Sequence, residues 1–261
     1  MRLPALTRTQ GAYLALEIAG GLAALGGLWL YTASAHSFYV TPLPQILSVF
    51  RQTWLFSDFS GDLLPSLERL AYGYALAVLA GVSLGLLLAS WRALRLAADP
   101  VVSFLRSLPP PALIPAFQVL FGIGTTAKAM VIFFVCVWPI LLNTMDGVAG
   151  LDPTLIETTR TYKVGRLDRL RLVTLPAIAP RVAAGMRVSL SIAVLILIVS
   201  EMLASTNGIG HYVMVQEGTF SIPQMWAGTL LLGLLGFLLN AAFSVGERRV
   251  LRWHFSQREA V

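Results

Sequence analysis

The sequence predicts an all-α membrane protein of six transmembrane helices, with a charged helix-turn-helix between the fourth and fifth. Three observations carry this. Hydrophobic residues make up 56% of the chain and charged residues 12%, against roughly 25% charged in an ordinary soluble domain. Mean hydropathy is +0.74, and the apolar residues gather in runs of about 20, the length a helix needs to cross a bilayer. The charges fall between the runs, most densely from Leu151 to Pro180.

Arg2 and Arg8 precede a run from about Ala12 to Tyr31. This exceeds the roughly 7–15 residue core of a signal peptide, and more spans follow, so it reads as the first span. Gly20, Gly21, Gly26 and Gly27 within it suit close helix packing. Thr41 to Leu64 reads as a polar external connector, with Pro42, Pro44 and a turn-rich tip at Ser57-Asp58-Phe59-Ser60-Gly61-Asp62. The second span runs from about Leu67 to Ser90. Gly81 and Gly85, four residues apart, form a small-xxx-small face on which another backbone can lie close. Trp91, Arg92 and Arg95 then mark a membrane interface.

The third span, about Val101 to Phe121, contains Pro109, Pro110, Pro111 and Pro115, which forbid a straight helix. Irregular backbone at membrane depth is tolerated where protein or a water-filled cavity covers it. Pro109, Pro110 and Pro115 are therefore translocation-path candidates, and an interfacial kink is the other reading. A fourth span covers about Ala127 to Met145, a fifth Arg187 to Ala204, and a sixth Met225 to Val245. Ser200 and Glu201 make the end of the fifth polar. An acid there is costly and so a functional candidate, while capping of Asn207-Gly208-Ile209-Gly210 is the equal alternative.

The charged island begins with Asp152-Pro153. An aspartate accepts from orphan N–H groups at a helix start, and proline fits the first helical position. The sequence predicts a short helix to about Lys163, a break at Gly165, and a second short helix. Pro176 and Pro180 are expected to keep that helix from running into the fifth span.

Placing the amino terminus inside puts Arg92, Arg95, Arg160, Lys163, Arg166, Arg169, Arg171, Arg181, Arg248, Arg249 and Arg252 on the cytoplasmic side, with Arg2, Arg8 and Arg258. Arg51, Arg69 and Lys128 are left outside or near span ends, and Leu203 to Trp226 has neither Lys nor Arg. This asymmetry satisfies the positive-inside rule, with both termini cytoplasmic. The net charge of +6 is thereby explained by topology, and no single basic stripe with interleaved aromatics suggests nucleic acid. Cys136 is the sole cysteine, and His36, His211 and His254 are scattered, so no disulfide or metal site is predicted.

The island resembles the signature loop of binding-protein-dependent ABC importer permeases. That pattern is Glu-Ala-Ala, three residues, Gly, nine residues, Ile, any residue, Leu-Pro. Counted from Glu157, its aliphatic position falls on Val173 and its Leu-Pro on Leu175-Pro176. Thr158 and Thr159 replace the alanines, and Lys163 replaces the glycine. Pro42-Leu43-Pro44, Leu108-Pro109-Pro110, Ile114-Pro115, Phe121-Gly122-Ile123-Gly124 and Glu201-Met202 before Gly208-Ile209-Gly210 extend the likeness to the nitrate/sulfonate/taurine branch.

The resemblance implies a type I ABC importer permease fold in one transmembrane domain. Residues 1–66 would hold the first span and connector, 67–246 the core spans with a coupling loop at 146–186, and 247–261 a cytoplasmic tail. It implies an inner-membrane permease, not itself an enzyme, for a small anion such as a sulfonate, nitrate or taurine. The implied partners are a dimer of ATP-binding subunits, a periplasmic or extracellular solute-binding protein, a second permease copy as a homodimer, and membrane lipid. Glu157, Thr158, Thr159, Arg160, Lys163, Gly165, Leu175 and Pro176 are the implied ATPase-coupling residues. The chain has no Gly-x-x-x-x-Gly-Lys-Ser/Thr loop, so it is expected to hold no cofactor, with ATP and magnesium on the partner. An intramembrane enzyme would have to draw on Glu201, Asn143, Asp146 or the histidines. A channel or secondary transporter is the third class, and an associated ATPase separates both from an importer.

Overall fold

The computed structural model describes residues 38–54, 59–203 and 205–252, with scattered helical positions between 16 and 34. Among them every regular element is helical. In chain order these are α1 (Leu43–Gln52), α2 (Phe59–Ser90), α3 (Arg92–Ser107) and α4 (Pro110–Phe121). There follow α5 (Thr125–Ala149), α6 (Pro153–Thr161), α7 (Arg166–Leu203), α8 (Ile209–Gly218) and α9 (Ile222–Val250). Helices α2, α5, α7 and α9 are long and apolar enough to cross a membrane. They are the expected second, fourth, fifth and sixth spans.

The expected first span lies largely outside the described residues, as do the connector tip at 55–58 and the tail beyond 252. A Cβ at Gly20, Gly21, Gly26 or Gly27 would meet no atom within 4 Å, so their expected close packing is not made within the described chain. The connector is less irregular than its composition predicts. It contains α1, and Trp54 just beyond is buried edge-on against Tyr212 of α8, with ring centroids 4.8 Å apart.

The expected third span is two helices. A proline disfavours the α region for the residue before it, and Leu108 and Pro109 are extended, with ψ of 128° and 119°. The 12 residues of α4 reach only about 18 Å, short of the roughly 30 Å hydrocarbon core.

At α7 the prolines do not act as expected. The helix runs unbroken from the island into the fifth span, with Pro176 and Pro180 inside it. A π turn over Arg169–Thr174 immediately precedes Pro176. Proline clashes with the carbonyl four residues back, here that of Leu172, and the wider turn accommodates the ring.

Helix α5 is the axis of the bundle, with its most extensive contacts to α2 and then α7. Small residues set both approaches. A Cβ on Gly81 would stand 2.8 Å from the Ile140 Cβ, and one on Gly85 2.6 Å from the Thr144 Cβ. On the opposite side, a Cβ on Gly185 of α7 would meet the Pro139 carbonyl and the Asn143 Cβ, each at 2.8 Å. The predicted glycine face of α2 is therefore a true helix contact. Leu70 and Ala77, Ile114, Ile132 and Ile140, and Ala193 and Leu197 fill the core between α2, α4, α5 and α7.

Candidate functional site

The charged island is a capped short helix standing on the end of the bundle. Asp152 starts α6 as expected: its Oδ1 accepts from the Thr154 N–H at 2.8 Å, with Pro153 at the first helical position. The end of the helix differs from expectation. Gly165 has φ −56° and ψ 152°, extended backbone that any residue adopts, so it is not the breaker. Lys163 is, at φ 52°. Around it the Val164 N–H donates to the Thr159 carbonyl at 3.0 Å and the Lys163 N–H to the Arg160 carbonyl at 2.9 Å. This double closure is the Schellman arrangement, in which the residue at position 163 is usually glycine.

The closure sorts the island's side chains. Thr159 is buried and donates within α6 to the Ile156 carbonyl at 2.7 Å. Glu157, Thr158 and Arg160 are exposed, as are Lys163 and Gly165, and Leu175 and Pro176 are half-buried where α7 leaves its π turn. Neither Glu157 nor Arg160 makes an ion pair among the described residues.

At the far end of the bundle lies a polar cluster of opposite character. Glu201 is wholly buried. Its carboxylate accepts from Arg69 Nη1 at 2.6 Å, the Ser66 hydroxyl at 2.8 Å and the Gly210 N–H at 3.0 Å. Arg69 also donates through Nη1 to the Asn207 carbonyl at 3.0 Å and through Nη2 to the Asn207 side chain. Asp62 Oδ1 accepts from the Gly208 N–H at 2.7 Å, and the Ser66 oxygen accepts from the Ile209 N–H at 3.0 Å. The orphan N–H groups at the start of α8 are thus held by side chains of α2 and α7. Gly208 is required here twice over: its φ is +112°, and a Cβ would stand 2.4 Å from the Glu201 carboxyl carbon.

Of the two readings of Glu201, the geometry thus shows the capping one. Ser200 is wholly buried beside it and donates to the Leu197 carbonyl at 2.8 Å. Sequence reasoning missed Asp62, Ser66 and Arg69. Their i, i+4, i+7 spacing, one face of a helix, was the available signal, and Arg69 was read only as an outlying positive charge.

The proline candidates lie elsewhere. Leu108 and Pro110 line a cavity of about 540 Å³ at the α3–α4 break, with Ser103, Arg106, Phe134 and Trp138. Ser200 and Glu201 do not line it. Pro109 caps α4 at the break and Pro115 sits inside that helix, both exposed. The Trp138 indole N–H is buried without a partner, and its ring meets Phe134 edge-on at 5.6 Å.

Residues 77–252 match the family described as "Binding-protein-dependent transport system inner membrane component". The putative aliphatic sulfonates transport permease protein of Bacillus subtilis is 30% identical over 233 residues, 89% of this chain and 83% of that one. The nitrate import permease protein of Leptolyngbya laminosa is 33% identical over 190 residues, 73% and 68% of the two chains. The taurine transport system permease protein of Escherichia coli is 26% identical over 243 residues, 90% and 88%. In fold, the chain is similar to a solved structure of the MetNI methionine ABC transporter in an inward-facing conformation. That comparison has a TM-score of 0.63 at 20% identity, covering 77% of this chain and 96% of that one.

These likenesses exclude the enzyme, channel and secondary-transporter readings and fix the class of partner: an ATPase that is a separate subunit, and a solute-binding protein. The chain belongs to the family of binding-protein-dependent transport system inner membrane components and is a permease subunit of an ABC importer.

Proposed function

We propose that this permease conducts a small anion of the sulfonate, nitrate or taurine kind, as a homodimer driven by an ATPase dimer docked on α6. ATP and magnesium are held by that partner, and the solute-binding protein delivers the anion at the Glu201 end. The observation that carries the docking is the state of α6. It is capped at both ends, yet it offers to solvent an acid, Glu157, with no ion-pair partner among the described residues. A charge held in place without a partner among the described residues fits a partner in another chain.

The placement of Lys and Arg puts the island and both termini in the cytoplasm, and the segment carrying α8 outside. Single cysteines at Thr161 and Thr219, both exposed, test this in intact cells with a permeabilised outer membrane. Cys136 is wholly buried and stays silent. An impermeant thiol reagent labels position 219 and spares 161, and the opposite pattern reverses the topology.

The names of the relatives support an anionic substrate. So does the cavity at the α3–α4 break, which is lined by Arg106 and Ser103. The path then runs beside Pro109, Pro110 and Pro115, while Ser200 and Glu201 serve it by holding the α7–α8 junction. Copurification of the permease with an ATPase, and substrate-stimulated ATP turnover lost on Glu157→Ala, test the whole reading. A fully coupled Glu157→Ala transporter sinks the docking.

A further inference from the structure

At the island end of the bundle a second cavity, of about 630 Å³, opens between the last turn of α2, the α2–α3 elbow, α6 and the start of α7. Arg160, Arg166 and Arg169 line it together. None of the three makes an ion pair or a side-chain hydrogen bond among the described residues. The acids closest in sequence, Glu157 and Asp168, are exposed and make no ion pair either. Three unpaired guanidiniums on one concave wall create a strongly positive site for an anion. Guanidinium recognises phosphate through paired, parallel N–H bonds, so phosphate is the anion this wall suits.

The remaining walls decide between a soluble phosphate and a lipid. They are mostly apolar, formed by Leu86 and Ala89 from the end of a membrane span and by Leu155, Leu170 and Val173 from the island, with the hydroxyl residues Ser90, Thr159 and Thr174 among them. Trp91 stands at the mouth, 68% exposed, where α2 ends. A free phosphate gains nothing from such walls. A phospholipid uses both parts, its phosphate on the arginines and its glycerol and first acyl carbons on the apolar side, with tryptophan at headgroup level. Basic pockets between membrane helices on the cytoplasmic side are known to seat anionic headgroups.

We propose that this cavity seats the headgroup of an anionic phospholipid from the cytoplasmic leaflet. The inference rests on the cytoplasmic placement of the island but not on ATPase docking. The lipid lies against Leu155 and Arg160 of α6, so it also braces the helix that carries Glu157.

The test uses the full transporter in phosphatidylcholine nanodiscs with brominated phosphatidylglycerol or brominated phosphatidylcholine as quencher. The signal is the tryptophan fluorescence of the wild type minus that of Trp91→Phe. Phosphatidylglycerol is expected to quench the Trp91 component at lower mole fraction than phosphatidylcholine. Each arginine lost should weaken the preference about 5-fold. The Arg166→Gln, Arg169→Gln double variant then loses it, and the Arg166→Lys, Arg169→Lys variant keeps most of it. Equal quenching by the two lipids overturns the proposal, as does a preference that survives the double glutamine variant. Relief of quenching by millimolar inorganic phosphate also overturns it, in favour of a soluble phosphate. Substrate-stimulated ATP turnover, read in the same discs, separates the two inferences. Lipid preference without stimulated turnover spares the lipid site and sinks the docking, and the converse result sinks the lipid site alone.

Discussion

The two ends of this bundle carry charge in opposite ways. At one end Glu201 and Arg69 are buried to 0% and 3% exposure, and both carboxylate oxygens accept donors from the protein itself. At the other, Glu157, Arg160 and Arg166 are exposed and without an ion-pair partner among the described residues, although Asp152 and the Lys163 turn hold the helix between them firmly. The first arrangement is closed. It joins α2, α7 and α8 and leaves no donor or acceptor of Glu201 for a substrate. The second is rigid in backbone and open in charge, the condition for recognising another molecule. Both carboxylate oxygens and both Nη atoms of the buried pair are engaged, with only the Arg69 Nε left without a partner, whereas the island's charges are ordered in backbone and open to solvent.

The sharpest way to break this contrast is to remove one partner from the closed end. Glu201→Ala leaves Arg69 buried without its counter-charge, a loss that typically costs about 3–5 kcal/mol. The expected result is a large fall in abundance and in thermal midpoint of the detergent-solubilised protein. Arg69→Ala should do the same, and the double variant should lose less than the sum, because the two residues act as one unit. A Glu201→Ala protein of normal stability that fails only in transport would return Glu201 to the path.

The open end predicts the reverse pattern. Glu157→Ala is expected to leave abundance and thermal midpoint unchanged, while ATPase retention falls by about 2–5 kcal/mol, the range for one partner of a charged pair desolvated at an interface. Subunit retention on an affinity column, beside abundance in membranes, separates the two. A solvated Glu157 would instead cost about 0–1 kcal/mol.

Between the two ends, Gly85→Leu tests the α2–α5 contact, where a Cβ already stands 2.6 Å from Thr144. Overpacking of this kind costs about 1–3 kcal/mol, expected as lower assembly and a lower thermal midpoint. Normal assembly and transport would mean that the two backbones are not in contact there. The smallest effect is expected at Lys163→Gly. Glycine relieves a left-handed residue of a penalty of about 1–2 kcal/mol, offset in part by its own chain entropy. Stability should hold or rise slightly, with coupling intact. A loss of ATPase retention in this variant would make the Lys163 side chain a docking contact and enlarge the open surface.

Some of this was legible because it depends on local chemistry. Asp152-Pro153 starts a helix wherever a helix follows, and Gly81 with Gly85 marks a close face wherever the helix spans a membrane. Leu108 to Pro111 had to interrupt a helix by its prolines alone. What was misread involves choices that local chemistry leaves open. Glycine at 165 and lysine at 163 suggested a turn at the glycine, since lysine rarely takes a positive φ. The Thr159 and Arg160 carbonyls, closing on Val164 and Lys163, decided otherwise. Pro176 suggested a stop, and the π turn before it let α7 continue.

By itself, then, the sequence determined the membrane character, the long spans and the position of the island, because hydropathy, helix starts and proline breaks act within a few residues. Only the tertiary structure decided what each charge does. Whether Glu201 caps or conducts depends on Arg69 and Ser66, more than 130 positions away in sequence, and on Gly208 and Gly210 folding back against it. Whether three arginines repel or form a site depends on α2 and α7 placing an apolar wall behind them. Electrostatic energy is set by distance and burial in space, and neither can be read along a chain.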